Sequence, residues 1–126
     1  MNTVIDHDET GKIEQLLLGR KVVKADVRMD TLTLDDGTTV RVRANEGCGG
    51  CSNGAYWVSD LNTCDNIITK VEQVIEDVKD SRGYQNTVYR VFVYAEDRRI
   101  NLIDVEGDDG NGYYGTGFQL IIEGPA

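Results

Sequence analysis

A β-hairpin is predicted by the stretch Thr31-Leu-Thr-Leu-Asp-Asp-Gly-Thr-Thr-Val-Arg-Val-Arg43, in which polar and apolar residues alternate on either side of an Asp-Gly pair. Alternation with a period of two is typical of a strand that buries one face, and Asp-Gly between two such runs favours a tight turn. The residues that we expect to point into the core are Leu32, Leu34, Val40 and Val42. The hairpin therefore indicates an antiparallel sheet with one buried face.

Further strands are predicted on both sides of this hairpin. They cover residues 22–27, 55–58, 87–94, 100–105 and 117–123, which are rich in β-branched and aromatic residues. Residues 67–78 fit both a helical stripe and a strand. We predict a strand, because residues 80–86 resemble a turn that would let it pair with 87–94. The predicted fold is mainly β (α+β), an antiparallel β-meander sheet with one or two short helices.

Two segments are candidates for these short helices. Residues 12–18 carry apolar residues three and four positions apart, and Gly19 follows where a helix often ends. Ser59 and Asp60 are residue types that cap helices, and they would begin a single turn leading to Asn66.

The 126 residues are predicted to form a single compact domain, since no linker divides the chain. Residues 1–11 are expected to be a mobile N-terminal segment. They lack the basic start and apolar stretch of a signal peptide. No segment approaches the roughly 20 apolar residues of a membrane helix. We therefore expect a cytoplasmic protein with no membrane partner.

The charge of the chain is strongly negative. Thirteen Lys and Arg residues against twenty-two Asp and Glu residues give a formal net charge of −9. A protein of this charge repels the phosphate backbone of nucleic acids, so we expect no nucleic-acid partner. High acidity fits solubility, attraction to a basic protein surface or imitation of DNA, and the first of these is the most common.

The chemically distinctive feature is the glycine-rich loop Cys48-Gly-Gly-Cys51. Its two-residue spacing lets a tight loop aim two thiolates at one tetrahedral ion, and Cys64 would supply a third ligand. His7 is the only histidine that could complete the set, and Asp65 is the carboxylate alternative. The predicted metal ligands, for a structural Zn²⁺, are Cys48, Cys51, Cys64 and His7. A disulfide between the first two cysteines, or unligated thiols, remains the alternative.

No catalytic residues are predicted. Cysteine or serine nucleophiles would need a neighbouring base, and the chain has a single histidine. Residues 110–115 match the GxGxxG pattern, but a strand follows them in place of the helix that would bind a pyrophosphate. We therefore expect a protein that is not an enzyme.

An aromatic contact surface is predicted from three side chains, Trp57, Tyr113 and Tyr114. Aromatic residues carry much of the binding energy in protein interfaces. The alternative is that these rings cap the core.

Several segments carry a resemblance to a known family. These segments are 47–54 (GCGGCSNG), 64–66 (CDN), 88–96 (VYRVFVYAE), 101–107 (NLIDVEG) and 111–117 (NGYYGTG). They resemble a family of small uncharacterised proteins, with a domain of unknown function, from bacteriophages that infect actinobacteria. The resemblance covers roughly residues 15 to 123 and also favours a strand at 67–78. It implies a phage protein in the cytoplasm of an infected bacterium, or a protein carried in the virion.

The expected function is that of a non-catalytic phage accessory protein that binds a host bacterial protein, in host takeover or counter-defence. One alternative is a virion-associated decoration protein. Another is a protein that sequesters a small ligand such as a nucleotide, with Arg90, Arg98 and Arg99 supplying a local positive site. An enzyme with an open metal position at the cysteine loop is the third.

Overall fold

A computed structural model of the chain describes residues 2–44, 55–79, 83, 85–108 and 117–124. The elements in these ranges are β1 (Asn2–Asp6), α1 (Thr10–Leu17), β2 (Val22–Asp26), β3 (Thr31–Leu34), β4 (Thr39–Ala44), β5 (Ala55–Leu61), β6 (Lys70–Lys79), β7 (Gln85–Ala95), β8 (Arg98–Asp108) and β9 (Phe118–Glu123). The predictions for Cys48, Cys51, Tyr113 and Tyr114 fall outside the described residues. Among those described, no helix is long and apolar enough to cross a membrane.

The strands form two antiparallel sheets. One has five strands in the order β1-β9-β4-β3-β2, and the other has four in the order β5-β8-β7-β6. Strands β2 to β4 and β6 to β8 follow one another as meanders, whereas β9 returns to lie between β1 and β4. The mainly β, antiparallel, single-domain prediction is confirmed, and the strands divide between two sheets because each sheet needs a partner to cover its apolar face.

A single hydrophobic core lies between the sheets and the helix. It receives Leu32 and Val42 from the five-stranded sheet, Val91 and Ile103 from the four-stranded sheet, and Ile13 from α1. None of these five side chains is more than 1% exposed. The four core residues predicted for the hairpin are all buried. Burial of these faces is the main favourable contribution to folding.

The two turns that close the clearest hairpins use left-handed backbone conformations. Gly37, between β3 and β4, has φ of 91°. Glu96 and Asp97, between the paired residues Ala95 and Arg98, have φ of 49° and 63°. Two consecutive positive φ values are typical of the type I′ turn, whose twist matches that of the flanking strands.

The segment expected to be mobile at the N-terminus contains a strand instead. β1 pairs with β9 along its whole length, from Asn2 opposite Glu123 to Asp6 opposite Gln119. Ile5 is only 5% exposed and belongs to the core. The pairing of β1 with a strand more than 100 positions away leaves no signal in the local sequence. The acidic composition of residues 1–11 therefore led to the wrong prediction of a mobile segment.

The predicted helical turn after Ser59 is also replaced by strand. β5 continues through Ser59 and Asp60 to Leu61, with a bulge between Val58 and Asp60. Leu61 is 5% exposed. Burial of Leu61 and pairing with β8 override the capping preference of Ser59 and Asp60. The strand predicted over residues 67–78 is confirmed from Lys70 onward, as β6, whereas residues 67–69 precede it without regular structure.

Residues 62–69, which we call the strap, cross from β5 to β6 without regular structure. Backbone hydrogen bonds nevertheless fix the strap on both sides. They join Asn62 N to Leu102 O at 3.0 Å, Cys64 N to Val22 O at 3.0 Å, Ile68 N to Arg20 O at 2.9 Å and Thr69 N to Tyr94 O at 2.8 Å. The strap is therefore an ordered part of the fold.

Candidate functional site

One end of the two packed sheets carries the flanks of two long connections. In the five-stranded sheet, Ala44 at the end of β4 pairs with Phe118 at the start of β9. In the four-stranded sheet, Ala55 at the start of β5 pairs with Asp108 at the end of β8. Segments 45–54 and 109–116 connect these two pairs. We call this end, defined by Ala44, Ala55, Asp108 and Phe118, the loop end.

Aromatic rings join the two sheets at the loop end. The ring centroid of Tyr89 lies 5.8 Å from that of Tyr56, which follows Ala55, and 6.4 Å from that of Phe118. All three rings are buried. Edge-to-face contacts of this kind are favourable beyond the area that they bury. The flanks of both long connections therefore rest on a fixed aromatic base.

His7 belongs to this aromatic base. Its ring centroid lies 5.1 Å from that of Tyr89 and 6.1 Å from that of Phe118. Its backbone N–H donates to Phe118 O at 3.0 Å. The Nδ1 atom is buried and has no hydrogen-bond partner among the described residues. His7 is thus held at the loop end, close to the flanks of the segment that contains Cys48 and Cys51.

A line of side-chain hydrogen bonds holds the same end of the five-stranded sheet. The Arg43 guanidinium donates to Gln119 Oε1 at 2.6 Å, and the Gln119 amide donates to Asp6 Oδ1 at 2.9 Å. These three residues come from β4, β9 and β1, at directly opposed positions. Strands that carry functional loops are commonly braced in this way, because a binding surface needs a rigid support.

Cys64 lies far from the loop end. It forms a bridge with Val22 on β2, at one edge of the five-stranded sheet, whereas His7 follows β1 at the other edge. Four strand spacings separate these edges, or about 19 Å. His7 and Cys64 also lie at opposite ends of the five-stranded sheet. Val22, the bridge partner of Cys64, lies at the end near Thr38, whereas His7 lies at the end near Phe118. The structure does not bring His7 and Cys64 together.

The surroundings of Cys64 are those of a core residue. Its side chain is 1% exposed, and its thiol donates to the carbonyl oxygen of Asn66 at 3.2 Å. Burial raises the pKa of the thiol above its ordinary value. Among the described residues, no group of three or more His, Cys, Asp or Glu side chains could hold a metal ion. Zinc binding by Cys48 and Cys51, which lie outside those residues, stays a prediction.

Trp57 lies two positions into β5 from Ala55, on the outer face of the four-stranded sheet. It is 47% exposed, so it does not cap the core. Glu106 lies directly opposite it on β8, and beyond the inward pair of Val58 and Val105 the next opposed pair is Asp60 and Asp104. Opposed residues share a face of the sheet. An exposed indole beside carboxylates is an arrangement that suits a cationic side chain, through cation–π and ionic contacts.

Arg90 neutralises part of this acidic face. Its guanidinium lies 3.2 Å from Glu76 Oε2 and 3.7 Å from Asp104 Oδ1. Burial raises the pKa of the Asp104 carboxyl, while a hydrogen bond from Asn101 and the charge of Arg90 oppose this effect. Because Arg90 is engaged with carboxylates, it contributes little positive potential for an anionic ligand.

Arg99 is engaged in a similar way. It lies 3.4 Å from Glu72 Oε1, and its guanidinium carbon is 3.7 Å from the centroid of the Phe92 ring. The structure therefore does not gather Arg90, Arg98 and Arg99 into one positive site.

Sequence reasoning did not identify Tyr56, Tyr89 or His7 as a joint aromatic base. The inward position of Tyr89 follows from the alternation along β7, where Val91 and Val93 also point inward. Its neighbours could not be deduced, because they depend on which strands pair across the molecule.

Comparison with known proteins gives one family. The chain matches a domain of unknown function, DUF7448, over residues 15–120. No curated protein and no solved structure matches it. The matched range agrees closely with the one expected from the sequence. Since the match spans most of the chain, this protein belongs to the DUF7448 family of domains of unknown function.

Proposed function

We propose that this protein is a non-catalytic binding protein that recognises a partner protein through its loop end. The observation that carries the proposal is that the residues flanking both long connections lie at one braced end of the fold. Long connections between strands are commonly functional, and a rigid scaffold that presents two of them together is a frequent design for recognition. The aromatic residues proposed for contact are Trp57, Tyr113 and Tyr114.

The partner is proposed to present a basic surface. The net charge of −9 attracts such a surface over a long range and raises the association rate. At close range, Trp57 and Glu106 offer an indole face and a carboxylate to one Arg or Lys side chain. In this proposal an aromatic anchor supplies affinity and the surrounding carboxylates supply selectivity.

The setting of the proposal is a bacteriophage infection. On this view the partner is a protein of the infected bacterium, and the function is host takeover or counter-defence. Cys48 and Cys51 would shape segment 45–54, by a structural Zn²⁺ or by a disulfide. Metal analysis of the reduced protein, purified without a histidine tag, tests this part separately. An absence of stoichiometric zinc would remove the metal.

The binding proposal is tested by photo-crosslinking in a lysate of the host. A benzophenone amino acid replaces Trp57 in one sample and Ile67 in the other. Ile67 is a matched control, because it is 54% exposed but lies on the strap, away from the loop end. We expect an adduct with a defined host protein from position 57 only. Equal adducts from both positions, or none from position 57, would contradict the proposal.

Affinity for the captured protein is then compared among variants. Trp57→Ala and Glu106→Gln should each weaken binding, by tenfold or more for the tryptophan, as is typical of an anchor residue. Ile67→Ala and Glu14→Gln are exposed controls that should leave binding unchanged. Binding should also weaken as salt is raised, since screening reduces the charge attraction. Recovery of the protein in purified virions would favour the decoration alternative instead.

A further inference from the structure

A cleft of about 320 Å³ lies between the strap and the start of β8. Its walls are formed by Asn62, Thr63, Asp65, Asn66, Arg98 and Ile100. The cleft is distant from the loop end, because β8 begins at Arg98 and reaches the loop end only at Asp108, about 30 Å along an extended strand. It is therefore independent of the surface proposed for partner binding.

Hydrogen bonds hold the strap, which forms one wall of the cleft, against the rest of the fold. Backbone hydrogen bonds hold Asn62 to Leu102 and Cys64 to Val22. The Asn62 amide also donates to Asn101 O at 2.5 Å, and the Cys64 thiol donates to Asn66 O at 3.2 Å. Small-molecule sites are usually formed in advance, which lowers the entropy lost on binding.

Two opposite charges line the cleft without pairing. Arg98 and Asp65 are both exposed, and neither forms an ion pair within the part of the chain that the structure describes. Both charges act on the buried thiol of Cys64: burial raises its pKa, Asp65 raises this pKa further and Arg98 lowers it. A guanidinium and a carboxylate thus face one cleft and remain available to a ligand.

Uncharged groups complete the lining. Over the described residues, the Thr63 hydroxyl and the Asn66 side-chain amide form no hydrogen bond, so both are available to a ligand. Ile100 is half-buried and offers an apolar contact. The cleft volume is at the lower end of the roughly 300–1,000 Å³ found for small-molecule sites. This size suits a ligand far smaller than a dinucleotide.

We propose that this cleft binds a small zwitterion of the size of an amino acid. Arg98 would hold the carboxylate, because a guanidinium matches that group geometrically. Asp65 would hold the ammonium group, and Ile100 would contact an apolar side chain. A phosphate is disfavoured, since Asp65 and the net charge of −9 repel a dianion.

The test uses three probes that differ only in their charged groups: L-leucine, 4-methylpentanoate, which lacks the ammonium group, and 3-methylbutylamine, which lacks the carboxylate. Each is titrated into ¹⁵N-labelled protein up to about 50 mM, which would nearly fill a site with a Kd of about 10 mM. We expect leucine to give saturable shifts of the backbone amides of residues 62–66 and 98–100. The two single-charge probes should bind about tenfold more weakly or worse.

Two variants test whether Arg98 and Asp65 bind the charged groups of leucine. Arg98→Gln should weaken leucine binding about tenfold or more, and Asp65→Asn should do the same. Arg41→Gln, on the exposed face of β4, is the matched control and should leave binding unchanged. All three positions are exposed, so the variants should keep the dispersed spectrum of the folded protein.

Three results would overturn the proposal. These are no saturable shift with leucine, binding of either single-charge probe as tight as that of leucine, or binding that both cleft variants leave unchanged. None of them bears on the loop end.

Discussion

Gly117 is the residue on which the packing at the loop end depends most closely. Its φ is 72°, and a Cβ atom placed there would lie 2.6 Å from Cγ of His7. Both features exclude other residues: the conformation disfavours a side chain, and the imidazole occupies the space that a side chain would need. A side chain at position 117 would therefore displace the His7 ring or the start of β9.

We expect Gly117→Ala to lower the free energy of unfolding by about 3 kcal/mol, as the sum of backbone strain and overpacking. Urea denaturation measures this change. Gly19→Ala is the matched control, since Gly19 has φ of 78° but open space around its Cα. It should cost only the strain, about 1 kcal/mol.

His7→Ala separates the two contributions to the Gly117 effect. With the imidazole removed, Gly117→Ala should cost no more than Gly19→Ala does, and the difference is the coupling energy between the two positions. If Gly117→Ala lowered the free energy of unfolding equally with and without the His7 imidazole, the close approach of His7 to Gly117 would be contradicted.

Cys64 gives a prediction about pH. Burial holds the pKa of its thiol above the ordinary value of 9.0, so the unfolded chain loses this proton at a lower pH than the folded protein does. The thiol therefore has no effect on the pH dependence of stability below that value. As pH rises through 9.0, ionisation favours the unfolded chain and the free energy of unfolding falls.

Denaturation of the reduced wild type and of Cys64→Ala between about pH 7 and 10 checks this sign. The stability difference between them should shrink above pH 9, by at most about 1.4 kcal/mol per pH unit. Ionisation of the other thiols and of the tyrosines occurs in both proteins and cancels. Parallel pH profiles would show that the Cys64 thiol titrates normally in the folded protein.

Among the elements, β1 is the strand whose contribution is easiest to isolate. Ile5 is 5% exposed and Val4 is 47% exposed, although they are neighbours on one strand. Ile5→Ala should therefore lower the free energy of unfolding by about 3 kcal/mol, through lost burial and the cavity left behind. Val4→Ala should change it by less than about 0.5 kcal/mol.

Thermal or chemical denaturation of these two variants decides between an integral strand and a mobile segment. A mobile segment would make both substitutions equally harmless. Amide hydrogen exchange gives a second measure, because pairing protects those β1 amides that donate to β9 for longer than a frayed terminus would.

The β7–β8 hairpin carries avoidable strain. Glu96 and Asp97 both have positive φ, which asparagine and glycine adopt at much lower cost. Replacing the pair with Asn-Gly should raise the free energy of unfolding by about 1 kcal/mol. Glu96→Gln is the control, since it removes the charge and leaves the backbone preference unchanged. A stabilisation as large in the control would assign the effect to charge.

For the molecule as a whole, the sequence predicted those elements of the fold that are determined by local sequence patterns. The hairpin at residues 31–43 and the strand β7 follow from alternation and turn residues, which act over a few positions. The placement of β9 between β1 and β4 depends on contacts between distant residues. The loop end also depends on contacts between distant residues. The sequence identified Trp57 as a candidate contact residue, but only its pairing with Glu106 shows which surface it shares.

The two sheets should unfold as one unit, because they share one core. Val42 in the five-stranded sheet and Val93 in the four-stranded sheet are 1% and 0% exposed, so each change to alanine should cost about 2 kcal/mol. Trp57 is the only tryptophan, and its fluorescence reports on the four-stranded sheet alone. Far-ultraviolet circular dichroism reports on both sheets.

In urea denaturation, Val42→Ala should shift the fluorescence transition of Trp57 by the same amount as the dichroism transition, although the two residues lie in different sheets. Val93→Ala should do likewise, and each protein should give coincident midpoints from the two probes. If instead Val42→Ala left the fluorescence midpoint in place, the sheets would unfold separately. The loop end would then join two independent units, and its geometry could not be fixed by a common core.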